Sequence, residues 1–191
     1  MKKAAYDIIM GILPVMIGVY LGIYFNNRNE EQQQDELKNQ IFKNLLAESQ
    51  SNLEILKDSQ AYFEMLRDSS NAYLVSKRPY KQFSFWKGLN PPELSVTAFK
   101  TAEVTNILPD LPISLLQSLS KTYSSISDIK NLGNVYFSRV IDNTGDPNYN
   151  DREYLIILEN YSWDMIIAEE SISEQIEILI ELLQSQQQVS N

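Results

Sequence analysis

The sequence predicts a mainly α protein, with an N-terminal transmembrane helix continuing into an antiparallel helical bundle. Three observations carry this expectation. Residues 8–25 read IIMGILPVMIGVYLGIYF, without one charged or amide side chain. Beyond that run, apolar residues recur at three- and four-residue steps over long stretches, the period of one helix face. Asn90-Pro91-Pro92, the pair Pro109 and Pro112, and a Gly-, Pro- and Asn-rich loop from Asp142 to Asp151 punctuate those stretches.

Composition narrows the chemistry. A chain of 191 residues is long enough to bury a real core. It has no Cys, which removes disulfides, thiolate nucleophiles and Cys-ligated metal centres. It has no His, which removes the commonest general base, the Ser-His-Asp arrangement and imidazole ligation. The net charge of −9 argues against nucleic acid as a partner, since phosphate binding needs a basic surface. The expectation is a non-enzyme without cofactor or metal. An enzyme working through Asp, Glu, Tyr, Lys or Arg alone is the residual alternative.

Residues 1–7 form a short tail expected in the cytoplasm, and 8–25 the transmembrane helix. At 1.5 Å per residue the run extends about 27 Å, just enough for a hydrocarbon core of roughly 30 Å. Tyr6, Tyr20 and Tyr24 lie near its ends, where amphipathic rings prefer the headgroup region. A cleaved signal peptide is the rival reading. The run is longer than a leader's apolar region, and Tyr24-Phe25-Asn26-Asn27 offers no small-x-small cleavage site. Lys2 and Lys3 favour a cytoplasmic N-terminus in an inner membrane, with the bundle outside. Arg28, Lys38 and Lys43 on the other flank leave the opposite orientation open.

Within the span, Gly11, Gly18 and Gly22 share one face, a strip on which two helices can approach closely. The plain alternative is that Gly is frequent in spanning helices. Pro14 is expected to bend the helix. Asp7, at the cytoplasmic edge, reads as an interfacial carboxylate rather than a proton relay.

Residues 26–36, NNRNEEQQQDE, are expected to form a polar helical stalk, and 37–183 the bundle. Leu37, Ile41, Leu45, Leu46, Leu53, Leu56, Phe63 and Leu66 give the first helix its apolar face, interrupted by Ser49, Asn52 and Ser59. Asn90-Pro91-Pro92-Glu93 reads as a helix start, with the helix running to about Ile107. The next helix carries Ile113, Leu116, Leu119, Tyr123 and Ile126, with Gly133 as a candidate end. Asn150 and Glu153 form a capping box for the last helix. Leu155, Leu158, Met165, Ile172, Ile176, Leu179 and Leu183 make its packing seam, with Ser162 and Glu169 as polar members. Residues 184–191 are a polar tail.

Candidates for chemistry are few. The loop before Asn90 interleaves Lys77, Arg78, Lys81 and Lys87 with Tyr80, Phe83, Phe85 and Trp86, and holds no acidic residue. Such a loop could grip an acidic partner, a lipid surface or an anionic ligand; the plain alternative is aromatics that cap the bundle and solvated lysines. Around Asp142, Asp146, Asn148, Asn150 and Asp151 a calcium loop fails, because its sixth and twelfth places from Asp146 hold Asp151 and Ile157. Glu169, Glu170, Glu174, Glu177 and Glu181 read as a solvated face rather than a carboxylate metal site.

Two passages carry a family resemblance. Gly18 to Glu36, with Asn26, Asn27, Asn29 and Glu30, resembles the junction of a family of uncharacterised single-span bacterial membrane proteins frequent in Bacteroidota, although Arg28 stands where Trp is usual. Leu94 to Ile126, with Thr97, Ala98, Phe99, Thr101 and Tyr123, is similar to that family's central helix pair. The resemblance implies an N-terminal anchor and a helical domain, and brings no activity with it. Taken together, the expectation is a membrane-anchored interaction or scaffold protein. Its partners would be the bilayer, through 8–25, and either a second copy or a protein of a membrane complex. A ligand-sensing extracytoplasmic bundle is the alternative.

Overall fold

The computed structural model describes residues 2–76, 85–144 and 151–189, with side chains described at 16–76, 85–141 and 152–186. The described residues form four helices and a short turn: α1 (Lys2–Ser76), α2 (Thr97–Val104), a 3-10 turn (Leu108–Asp110), α3 (Ile113–Thr144) and α4 (Asp151–Val189). No strand occurs among them. The mainly α class and the helical bundle are therefore what the sequence led one to expect.

Two compact units divide the chain, Met1–Ile41 and Phe42–Asn191. The first is helical from Lys2 onward, through Pro14 and through the polar 26–36 stretch. Within that stretch the Asn26 amide donates to Glu30 at 2.7 Å, an i, i+4 pair that supports the helix. Every side chain from Met16 to Glu36 is exposed. Among the described residues no helix is long and apolar enough to cross a membrane; of the run 8–25, side chains are described from Met16 on.

The second unit is a bundle of three long helices. Ser59 meets Glu169, Phe63 meets Tyr161, and the Arg67 guanidinium lies over the Trp163 ring, so α1 and α4 run antiparallel. Ser125 meets Gln175 and Tyr136 meets Asp164, so α3 and α4 are antiparallel as well. It follows that α1 and α3 run parallel. Leu45, Leu56, Phe63 and Leu66 of α1, Leu115 and Leu119 of α3, and Leu158, Met165, Ile176 and Leu183 of α4 fill the core. The predicted α4 seam is buried along its whole length, with Tyr161 added to it.

Several expectations need correction. Asn90-Pro91-Pro92-Glu93 starts no helix. Asn90 has a left-handed backbone (φ 38), and a residue before proline is pushed from the helical region, which applies to Asn90 and again to Pro91. Residues 86–96 instead run without regular structure from beside Tyr62 to beside Glu48, and α2 begins only at Thr97. It ends in a Schellman arrangement: Asn106, at φ 55, donates to Glu103, and Ile107 donates to Ala102. Gly133 does not end α3. A Cβ there would stand 3.1 Å from the Pro91 ring, so this glycine lets the crossing segment touch the helix. In the first turn of α3 the buried residue is Leu115, while Ile113 is exposed and Leu116 half-buried. Val135, Phe137 and Ile141 face outward, leaving Tyr136 as the inward residue of that turn.

Candidate functional site

The crossing segment, α2 and α3 enclose a groove of about 800 Å³. It exists because residues 86–96 are pinned as an irregular strap by side chains from the long helices. The Tyr62 hydroxyl donates to the Gly88 carbonyl at 2.5 Å and accepts from the Lys87 N–H at 3.3 Å. From α4, the Tyr161 hydroxyl donates to the Leu89 carbonyl at 2.8 Å. Asn52 closes both hydrogen bonds of one peptide unit, donating to the Ser95 carbonyl and accepting its N–H, each at 2.8 Å. A buried carboxamide satisfied in this way fixes the strap's register against α1.

One turn earlier on α1, Glu48 supplies the cap that α2 lacks locally. Val96 offers no capping side chain. The Glu48 carboxylate accepts from the Ala98 N–H at 2.8 Å and the Phe99 N–H at 3.4 Å, and from the Ser95 hydroxyl at 2.6 Å. The Tyr123 hydroxyl of α3 donates at 2.7 Å to Oε1, the oxygen that also receives the Phe99 N–H, while the Ala98 N–H and the Ser95 hydroxyl share Oε2. An anion at a helix N-terminus is favoured by the exposed N–H groups and the helix dipole. Burial, and then the bond to Glu48, hold the Tyr123 hydroxyl well above the usual phenol range, so it stays a proton donor. Phe99 stacks on the Tyr123 ring at 4.3 Å and forms part of the groove floor.

The groove's walls are polar. Ser120, Ser124, Ser127 and Asn134 follow one another along α3. Lys100, Lys130, Glu93 and Glu103 stand at its edge, all exposed. No ion pair among the described residues involves any of these four. Two charges of each sign therefore face solvent across the opening.

A second polar feature lies in the core. Glu169 is 1% exposed on the α4 seam. Ser59 donates to its Oε1 at 2.7 Å, while Oε2 has no hydrogen-bond partner. Burial raises the carboxyl to about 7, the Ser59 bond opposing it. Nearby, the Tyr136 hydroxyl donates to Asp164 at 2.5 Å, and burial together with that bond pushes it up to about 12.

The residues singled out in the sequence are not gathered at the groove. Gly18 and Gly22 sit on exposed helix with nothing within 4 Å of a Cβ built there; the side-chain position of Gly11 lies outside the described residues. Lys77, Arg78, Tyr80, Lys81 and Phe83 also lie outside them. Of the rest of that loop, Phe85 packs against Tyr73 at 5.6 Å and Trp86 against Tyr154 at 6.0 Å, the capping role of ordinary loop aromatics. The Lys87 side chain is exposed. Asp146, Asn148 and Asn150 fall outside the described residues, as do the side chains of Asp142 and Asp151. Glu170, Glu174, Glu177 and Glu181 are solvated as expected, and Glu169 is not. Among the described residues no group of three acidic side chains could hold a metal. The roles of Glu48 and Asn52 were missed, because their partners lie more than 40 residues away in the chain. Compared with protein families, with curated proteins and with solved structures, the chain matches none.

Proposed function

We propose that this chain is a non-enzymatic, membrane-anchored interaction or scaffold protein, such as an accessory subunit of a cell-envelope complex. Residues 8–25 would cross the inner membrane once, with the tail in the cytoplasm and the bundle outside, as in the single-span family it resembles. One observation carries the reading: Met16, Ile17, Val19, Tyr20, Leu21, Ile23, Tyr24 and Phe25 are all exposed, around every side of the helix. Apolar surface of that extent on a soluble protein requires a cover, and a bilayer covers all sides of one helix at once.

The test is extraction in mild detergent. The chain should stay with carbonate-washed membranes and come out as a homo-oligomer or with a stable partner protein. A chain released by carbonate removes the anchor, and a monomer with nothing co-purifying removes the scaffold. Replacing both Gly18 and Gly22 by Ile should weaken self-association in a membrane two-hybrid assay if the glycine strip is a contact; unchanged association overturns that contact.

The groove favours a second reading, a ligand-sensing bundle. On the same orientation the bundle would lie outside the membrane and act through a partner subunit. A small molecule retained through purification and identified by mass spectrometry would support it.

A further inference from the structure

We infer that the groove between the strap, α2 and α3 binds an extended, uncharged peptide segment of a partner protein. This rests on the interaction reading above but does not need the membrane anchor. Shape is the first argument. From Ser120 to Asn134 the α3 wall runs about 21 Å, at roughly 1.5 Å per residue, and both residues line the groove. A space of about 800 Å³ drawn out over that length is long and narrow, and suits an extended chain better than a compact molecule. About six residues of extended peptide cover the same distance.

Hydrogen bonding is the second argument. The strap has no regular structure, and its Glu93 and Leu94 N–H groups and Pro91 and Pro92 carbonyls have no partner among the described residues. Backbone groups left unpaired beside a groove are available to the main chain of a bound peptide. Facing the strap, Ser120, Ser124, Ser127 and Asn134 offer hydroxyls and an amide that no described residue engages. Leu94, Phe99 and Ile126 supply apolar floor. An extended peptide points alternate side chains to opposite sides, one set to such a floor and one to solvent. Charge is the third argument. With Lys100 and Lys130 balanced by Glu93 and Glu103, the opening has no net charge and gives a polyanion no advantage.

The experiment uses the full chain in detergent micelles and an array of synthetic hexapeptides. These carry Leu or Val at alternate positions, Ser, Thr or Asn between them, and no net charge. A subset should bind with a Kd of roughly 10–100 μM, as short flexible ligands do. Ser124→Trp, at an exposed position of the wall, should weaken that binding about tenfold or more by filling the groove. Lys121→Trp, exposed on α3 but outside the groove, should leave it unchanged. Ser127→Trp is the second blocking variant should Ser124→Trp melt early. Equal binding by blocked and control chains, no binding of any peptide, or binding of soluble chitooligosaccharides in place of peptides overturns the proposal. Co-purification of a partner whose binding ignores Ser124→Trp would leave the scaffold reading standing and overturn this one alone.

Discussion

At the scale of single residues, Glu169 sets the terms. Its carboxyl is buried with one donor, from Ser59, and one orphan oxygen, so the folded state favours the neutral acid. The unfolded chain ionises it near the ordinary 4.5, the folded chain only near about 7. Stability from this group is therefore complete below the lower value and is lost as pH rises through the upper one. The difference is worth roughly 3 kcal/mol. Thermal melting at pH 5 should exceed that at pH 8, and Glu169→Gln, which keeps an acceptor for Ser59, should remove most of the difference. A wild-type melt that rises between pH 5 and pH 8 would contradict this. Gly133→Val should cost about 1–3 kcal/mol in denaturant unfolding, because its branches meet the Pro91 ring. The sequence placed Glu169 on the α4 seam correctly. It could not reveal the depth of that position, since helical periodicity assigns a face and leaves open what lies opposite it.

At the scale of elements, α2 depends on a carboxylate from another helix. Glu48→Ala leaves the Ala98 and Phe99 N–H groups and the Ser95 and Tyr123 hydroxyls without their acceptor. The expected cost is about 2–4 kcal/mol, with amide hydrogen exchange in α2 speeding up well before that in α4. Uniform acceleration over both helices would argue against a local capping role. The long helices were legible because their apolar faces repeat over many turns. The start of α2 was not. Asn90-Pro91-Pro92-Glu93 has the residue types of a local cap, but the backbone restriction imposed by two successive prolines outweighs them, and the actual cap comes from 50 residues upstream.

At the scale of the whole molecule, Phe42–Asn191 is compact by its own contacts. A chain lacking residues 1–25 should remain in detergent-free buffer, keep a helical circular dichroism spectrum and melt cooperatively, while the full chain needs detergent. Precipitation of the shortened chain would mean that apolar surface elsewhere, such as Phe137 or Ile167, also needs a cover. Because α1 and α3 run parallel, the chain must travel back from one end of the bundle to the other between Ser76 and Ile113. Between Tyr62 and Asn52 ten residues of α1 rise about 15 Å at roughly 1.5 Å each, and the strap covers the same stretch with the seven steps from Gly88 to Ser95, fewer than a helix would need. The economy has a kinetic side. The strap has no hydrogen-bond ladder of its own, and its anchors join residues 43 apart at Asn52 and Ser95 and 72 apart at Leu89 and Tyr161. It can be captured only after helices distant in sequence have met, so it should fold last and open first. Pulse-labelling during refolding should find the Ser95 amide protected later than the amides of α3 and α4; simultaneous protection would mean that the strap guides the helices together.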